Sequence, residues 1–219
     1  MFGEERLLMQ ETVDDDRGTP AASATTWRES LDLHIANLDY MARNLDGREV
    51  ERILDVLRGC QGLVIFTGVG QNSLLASKVA STYGSLSMRS TSIDAVALLH
   101  GNLGMLRPQD LLVVLSNSGE TFELKRLMEA CRDLGHTDTL VVHSAPGCTL
   151  EKLAAHSIHL PTAGEADHLG IVPTASSTCF LSFLQAVATQ LASENGLTAG
   201  AFVRTHPGGT LGGNRWADE

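Results

Sequence analysis

The sequence predicts an α/β protein in which helices cover both faces of a parallel sheet. Short apolar runs alternate with helical stretches after residue 60, and strands separated by helices of this length pair in parallel. Hydrophobic residues make up 43% and charged residues 19% of the 219-residue chain, the balance of an ordinary globular protein. We find no internal repeat or change in composition. We therefore expect one domain at residues 27–219 after a disordered tail at residues 1–26.

Two N-terminal helices begin the predicted domain. Apolar residues recur at helical spacing from Trp27 to about Asn44, and a second segment starts near Val50 and ends near Gly59. Together they predict a helical hairpin. Five short apolar runs then predict strands, and the second run is the weakest. The strands are expected at residues 62–68, 86–92, 110–116, 139–144 and 156–161, with helices at 73–84, 120–134, 149–155 and 176–195.

Charge and composition narrow the classes of partner. A formal net charge of −10 disfavours a sequence-independent grip on nucleic acid, which needs clustered Lys and Arg. No segment reaches the roughly 18 consecutive apolar residues of a membrane span, and the acidic N-terminus lacks the pattern of a secretory signal. We expect a cytoplasmic protein that binds neither nucleic acid nor membrane. The four cysteines form no close pair and are predicted to be free thiols, mostly core residues.

Two strand-to-helix turns contain residues that suit an anion. The first holds Gly70, Gln71 and Asn72, and the second is the segment Ser116-Asn117-Ser118-Gly119-Glu120-Thr121. The first backbone N–H groups of a helix lack partners within it, and the helix dipole adds partial positive charge there. A phosphate meets both needs, while hydroxyl groups complete the site and Gly119 lets the backbone approach a ligand.

Each turn also has a plainer interpretation. The second turn alone is equally consistent with a capped helix start, although its hydroxyl and amide side chains outnumber what one cap requires. The first turn partly resembles the dinucleotide motif GxGxxG, but Ser73 replaces the third glycine. The partial match is weak, and we expect no nicotinamide or other redox cofactor.

Five motifs run in order through most of the chain: GVGQNS, HGNLGM, LSNSGET, GEADHLGIVPTASST and THPGGTLG. Together they resemble the sugar isomerase (SIS) domain, and most closely the arabinose 5-phosphate isomerase family. The resemblance implies a three-layer α/β/α sandwich with a five-stranded parallel sheet. It also implies a homotetramer with sites between subunits. Many relatives carry two CBS modules after this domain, and we expect a form without them because the chain ends soon after the last motif.

The resemblance also assigns residues to the site. Glu120, Glu165, His100 and His206 match active-site residues of the family, and Gln71 occupies a substrate-contacting position. The residues expected to bind the substrate phosphate are Gly70, Asn72, Ser116, Asn117, Ser118, Thr121, Thr174, Ser176, Ser177 and Thr178.

Three positions depart from the family pattern. Gln71 stands where the family usually has lysine, Ala97 where it has glutamate, and Asn102 where it has aspartate. These changes bear on which sugar is bound and on catalysis itself.

Taken singly, the four active-site candidates have structural interpretations. Glu120 suits the first turn of a helix because the dipole favours an acid there, and Glu165 suits a solvated loop. His100 would end a short helix, and His206 would lie in a plain turn.

The predicted reaction is the interconversion of D-arabinose 5-phosphate and D-ribulose 5-phosphate, which the resemblance places in a lipopolysaccharide sugar pathway. A base removes the proton beside the carbonyl to give an enediol and returns it to the neighbouring carbon. We assign the base to Glu165, with His206 and His100 at the sugar oxygens; a histidine base supported by a glutamate is the alternative. Two other functions stay open, a non-catalytic sugar-phosphate sensor and an isomerase of a hexose or heptose phosphate.

The spacing of ligand-type residues predicts no resident metal, because no HxxxH or CxxC pair is present. By analogy with the family, an inhibitory zinc ion at His100 and His206 is the one exception. His143, at the end of the fourth predicted strand, matches no family role.

Overall fold

The computed structural model of the chain describes residues 25–208. The predicted tail, residues 1–26, therefore lies almost entirely outside the described residues, as does the end of the last motif. The helices are α1 (Trp27–Asn44), α2 (Gly47–Gly59), α3 (Gln71–Ser85), α4 (Ala95–Leu99), α5 (Phe122–Asp133), α6 (Thr149–Leu153), α7 (Ala175–Glu194) and α8 (Ala199–Arg204). The strands are β1 (Val64–Thr67), β2 (Ser90–Ser92), β3 (Leu111–Ser116), β4 (Thr139–His143) and β5 (His156–His159).

The five strands form one parallel sheet in the order β2-β1-β3-β4-β5. The predicted fold class is confirmed, and each strand lies within its predicted apolar run. The central strand β3 is buried along its whole length, as expected for a parallel strand covered on both faces. Strand β2 is short and half-buried, which explains why its sequence signal was the weakest.

Alternate residues of β3 belong to the two halves of the core. Leu111, Val113 and Leu115 pack with residues of α1, α2, α3 and α7, whereas Leu112 and Val114 pack with residues of α4, α5 and α6. This division follows from the alternation of side chains along a strand. It gives the three layers of an α/β/α sandwich.

Both N-terminal helices are present, and each packs mainly on later elements of the chain rather than on the other helix. Helix α1 lies along α7, whereas α2 packs on β5 and α7. Thr26 and Glu29 form a reciprocal capping box that starts α1. Helix α1 leaves Trp27, Leu31 and Ile35 exposed, so part of its apolar surface is not covered by this chain.

Helix α8 was not among the predicted elements, whereas α4 is the short helix that was expected to end at His100. Asp94 caps α4, and Thr198 caps α8 through its side-chain oxygen. Helices of five and six residues are too short to show a clear helical period in the sequence. Between residues 25 and 208, no helix combines the length with the apolar character that a membrane crossing requires.

Candidate active site

The sheet reverses its direction of winding between β1 and β3. The chain leaves β1 through α3 toward β2 on one side, and leaves β3 through α5 toward β4 on the other. Helices α3 and α5 lie on opposite faces of the sheet. Both begin at the carboxyl ends of these neighbouring strands. In parallel α/β sheets, such a point forms the crevice in which ligands bind.

The N-terminus of α5 has free donors. Its N-cap residue Thr121 makes no capping bond with its side chain. Among the described residues, the backbone N–H groups of Phe122, Glu123 and Leu124 have no acceptor. Unpaired N–H groups at the positive end of a helix dipole are a ready anion site. The first turn also carries Glu123, which offsets part of the dipole.

Hydroxyl groups shape the loop before α5. The N–H of Gly119 donates to Ser116 Oγ at 3.1 Å, and the N–H of Glu120 donates to Ser118 Oγ at 3.2 Å. Ser116 is buried, whereas Ser118 is exposed. Ser116 Oγ also lies 3.5 Å from Thr121 Oγ1. Ser116 therefore holds the loop together, while Ser118 and Thr121 are placed to meet a ligand.

Gly119 is required by its surroundings. Its φ is +64°, in the left-handed region that favours glycine. A Cβ at this position would collide with the side chain of Cys148. The carbonyl oxygen of Gly119 accepts the N–H of Leu150 at 3.1 Å, so the loop is tied directly to α6.

The N-terminus of α3 lies on the other side of the crevice. Gly70 is the N-cap residue of α3 and has a φ of +60°; it has no side chain to cap the helix. Gln71 is exposed and Asn72 is half-buried at the first two helical positions. A Cβ on Gly68 would collide with the backbone of Asn72. The first predicted turn thus brings its candidate residues to the same crevice as the second.

Glu165 binds the N-terminus of α7. Its carboxylate accepts the backbone N–H groups of Thr174 and Ser176 at 2.9 and 3.1 Å. The hydroxyl groups of the same two residues also donate to it. Asn117 Nδ2 donates to its other side at 3.3 Å. Glu165 thereby joins the Ser116–Thr121 loop to α7.

These bonds decide the charge state of Glu165. Burial raises the pKa of its carboxyl group, but hydrogen bonds from Ser176 and Thr174 outweigh burial and hold the pKa below its usual value. The carboxylate is therefore a weak base in this arrangement. It also occupies the donors of Thr174 and Ser176, two of the predicted phosphate ligands.

The other two candidates on α7 contact protein groups. Ser177 Oγ donates to the carbonyl oxygen of Pro173 at 3.3 Å. Thr178 Oγ1 donates to the carbonyl oxygen of Thr174 at 3.0 Å and lies 3.1 Å from His34 Nδ1. The phosphate roles of all four α7 residues stay predictions.

Glu120 caps α6 rather than its own helix. Its carboxylate accepts the N–H and hydroxyl of Thr149 at 2.7 and 2.9 Å, and pairs with Lys125 Nζ at 3.1 Å. The bonds from Thr149 and then from Lys125 hold the pKa of Glu120 below its usual value. Its predicted catalytic role is not tested by this geometry.

The two candidate histidines, His206 and His100, lie in different parts of the fold. His206 Nε2 bonds Ser85 Oγ at 2.8 Å, and its ring stacks on Phe202 at 4.0 Å. Ser85 ends α3, about 21 Å along the helix from Gln71, so His206 lies toward the amino edge of the sheet. His100 is exposed and follows α4, which covers the opposite face. One chain does not bring these imidazoles together, and the predicted zinc pair therefore requires a second subunit.

Two residues near the crevice were not predicted from the sequence. Thr67 ends β1 with its hydroxyl buried and without a partner among the described residues. Lys125 places an ammonium group beside the Glu120 carboxylate, near the start of α5. A hydroxyl residue at the end of an apolar run was a usable signal for Thr67. No spacing rule pointed to Lys125.

The fold and the crevice define a class of protein, an α/β sandwich in which two helices without side-chain caps begin where the winding of the sheet reverses. The SIS domain family model matches residues 59–190. The chain is 31% identical over 188 residues to arabinose 5-phosphate isomerase KpsF of Escherichia coli O6:H1, covering 86% of this chain and 57% of the relative. It is 34% identical over 153 residues to arabinose 5-phosphate isomerase KdsD of E. coli K12, covering 70% of this chain and 46% of the relative.

A solved structure of an E. coli CFT073 protein in complex with arabinose 5-phosphate superposes with a TM-score of 0.79 at 29% identity, covering 82% of this chain and 95% of that one. A solved structure from Listeria monocytogenes, at 22% identity and a TM-score of 0.78, shows the shared fold. The chain belongs to the SIS domain family, as its motifs indicated. It spans about half the length of the curated relatives it matches.

Proposed function

We propose that the chain is an aldose–ketose isomerase that interconverts D-arabinose 5-phosphate and D-ribulose 5-phosphate through an enediol. The relatives KpsF and KdsD are arabinose 5-phosphate isomerases, and a structural neighbour binds arabinose 5-phosphate. The observation that carries the proposal is the uncapped N-terminus of α5, which lies where the winding of the sheet reverses between β1 and β3. It offers a phosphate both unpaired N–H groups and a helix dipole.

The phosphate is proposed to bind between the starts of α5 and α3. Ser118 and Thr121 donate hydroxyl groups from one side, and Asn72 and Gln71 contact the substrate from the other. Ser116 supports the loop from below, because it is buried and already accepts the N–H of Gly119. Lys125 supplies a positive charge near the start of α5. The family's usual lysine is absent from this chain, because Gln71 stands at its position.

Proton transfer is proposed to use an imidazole supported by Glu165, the alternative to a Glu165 base. The low pKa of Glu165 and its bonds to α7 make it a poor proton acceptor. Imidazole is the side chain most often used as a general acid and base, which suits a group that takes and returns one proton. His206 is the proposed base and would reach the crevice of a neighbouring subunit, because its own crevice is distant.

We also propose the homotetramer, since a His206 that acts in a neighbouring crevice requires sites shared between subunits. The exposed Trp27, Leu31 and Ile35 of α1 offer an apolar surface for such contacts. Sedimentation velocity checks the assembly, and a monomeric species with full turnover contradicts the shared site. A cytoplasmic location remains a prediction of the same proposal.

The test measures turnover of arabinose, hexose and heptose phosphates by the native chain and by four variants. Ser118→Ala and Thr121→Ala each lose hydrogen bonds to a charged group, so we expect kcat/KM to fall about tenfold. His206→Asn is expected to lower kcat by about 10²–10⁴-fold. Thr189→Ala is the control, because that hydroxyl bonds its own helix on an exposed surface. Native turnover in all four variants contradicts the proposal.

A non-catalytic sensor is the second candidate. It is favoured by the occupied Glu165 carboxylate and by Gln71 and Ala97 at positions where the family usually has lysine and glutamate. A sensor would gain thermal stability from a sugar phosphate without converting it. Turnover that appears only after Gln71→Lys would identify it.

A further inference from the structure

Three side chains near the carboxyl edge of the sheet form a cluster that the proposed isomerase reaction does not use. His143 ends β4, Cys148 starts α6, and Glu151 lies in the first turn of α6. One potential ligand atom from each residue lies within 4.8 Å of the others. His143 and Cys148 are buried, and Glu151 is half-buried. The sequence interpretation treated the cysteines, Cys148 among them, as mostly core residues and gave His143 no role.

The hydrogen bonds of His143 define its tautomer. Its Nδ1 lies 2.9 Å from the carbonyl oxygen of Ala145. A carbonyl only accepts hydrogen bonds, so Nδ1 carries the proton and the neutral ring has its lone pair on Nε2. His143 is 1% exposed, and among the described residues Nε2 has no hydrogen-bond partner. A backbone carbonyl on one ring nitrogen and a free lone pair on the other is the usual arrangement of a metal-ligating histidine.

The surroundings of that lone pair supply the other ligands. Glu151 Oε2 lies 3.9 Å from His143 Nε2, and it also accepts the N–H of Gly147 at 2.6 Å. The thiol of Cys148 completes the group. Nitrogen, sulfur and carboxylate oxygen form the donor set that Zn²⁺ prefers, at distances of about 2.0–2.3 Å from the metal. Binding at those distances requires the three ligand atoms, which lie within 4.8 Å of one another, to move closer together.

We propose that His143, Cys148 and Glu151 bind a zinc ion, with a fourth position open to water. On binding, the Cys148 thiol releases its proton to solvent and coordinates as the thiolate. This site differs in every residue from the zinc pair predicted at His100 and His206.

Zinc at this site also acts on the Ser116–Thr121 loop. The side chain of Cys148 packs against Gly119, and Leu150 donates its N–H to the Gly119 carbonyl. A metal that fixes Cys148 therefore fixes the segment against which the loop packs. The expected consequence is a loop with less conformational freedom when zinc is bound.

Cobalt substitution tests the site directly. Titration of the metal-free native chain with Co²⁺ is expected to give one equivalent of binding and the absorption band of a cobalt–thiolate bond. Cys148→Ala removes the band, whereas Cys60→Ser, which alters the half-exposed cysteine, keeps it. The double variant His100→Asn, His206→Asn also keeps it. A band that survives Cys148→Ala, or no band in the native chain, overturns the proposal.

A second variant avoids the buried positions. Glu151→Gln changes a half-buried residue on the rim of the cluster, so the chain is expected to fold, as circular dichroism checks. Its affinity for Zn²⁺ is expected to fall at least about tenfold. The rise in melting temperature that Zn²⁺ gives the native chain is expected to shrink with it. Unchanged affinity and unchanged stabilisation in Glu151→Gln contradict the site.

Discussion

The N-termini of α5 and α7 lie at the same edge of one sheet, and both were expected to bind the substrate phosphate. Helix α7 begins with its donors occupied, because Glu165 accepts N–H and hydroxyl groups from Thr174 and Ser176. Helix α5 begins without a side-chain cap, and its first N–H groups find no acceptor in the described part of the chain. The donors at the start of α7 are thus used to stabilise the fold, whereas the first N–H groups of α5 are unpaired in the described residues.

The difference lies in the loops that precede the two helices. The long segment before α7 contains an acid that folds back on the helix, whereas the short loop before α5 uses its hydroxyl groups on its own backbone. A phosphate adds a new partner at α5, but at α7 it must displace a carboxylate. The comparison therefore favours α5 as the anion site. Three substitutions probe the starts of the two helices, and Thr121→Asp tests the anion site itself.

The largest effect is expected from Gly119→Ala in the loop before α5. Alanine at this position is held in the left-handed backbone conformation, which it disfavours, and its Cβ collides with Cys148. The free energy of unfolding is therefore expected to fall by about 3 kcal/mol. Gly135→Ala is the matched control, since Gly135 has a φ of +75° and open space around it. That variant is expected to lose only about 1 kcal/mol. Equal losses in urea denaturation show that the contact with Cys148 does not matter.

An intermediate effect is expected from Glu165→Gln at the start of α7. Loss of charge-assisted bonds to Ser176 and Thr174 is expected to lower the free energy of unfolding by about 2 kcal/mol at neutral pH. The folded-state pKa of Glu165 is depressed. Its stabilisation is therefore present above the unfolded pKa and is lost as pH falls through the folded value.

Unfolding of native and Glu165→Gln chains across pH checks this linkage, and their stabilities are expected to begin converging as pH falls below the unfolded Glu pKa of about 4.3. Glu129→Gln, which removes a surface carboxylate paired with Arg126, is the control and is expected to change stability little. A constant difference between the native chain and Glu165→Gln down to low pH rules out the capping role of the charge.

The smallest effect on stability is expected from Thr121→Asp, which gives α5 the acid that α7 already has. A carboxylate near the free N–H groups is expected to raise the free energy of unfolding by about 0.5 kcal/mol. It is also expected to weaken binding of inorganic phosphate about tenfold, a loss of roughly 1.4 kcal/mol. Calorimetric titration measures the affinity. Thr121→Asn, without the charge, separates repulsion from loss of the hydroxyl, and equal phosphate affinity in Thr121→Asp and the native chain places the anion elsewhere.

Much of this fold was predictable because its signals are local. A run such as Leu111 to Leu115 shows burial on both faces, and the turn from Ser116 to Thr121 shows where a helix begins. The long helix α7 was predicted to within a residue at each end. The short helix α8 was missed because about one turn and a half of helix does not establish a period.

The candidate site was predictable in part. Residues of one turn, such as Ser118 and Thr121, stay together whatever the rest of the chain does. The bonds of Glu165 to Asn117 and Ser176 join residues up to 48 positions apart, and no local pattern encodes them. The position of His206 beside Ser85, 121 residues away, was equally outside the reach of spacing arguments.

The sequence by itself determined the strands and the longer helices, the turns that carry glycine and hydroxyl groups, and the family that the motifs indicate. These properties depend on the period of apolar residues and on the conformations that single residues allow. Only the tertiary structure decided the strand order, the bond between Asn117 and Glu165, and the position of His206 beside Ser85. Those features depend on packing between distant segments, where burial and unpaired hydrogen bonds select the partner of each polar group.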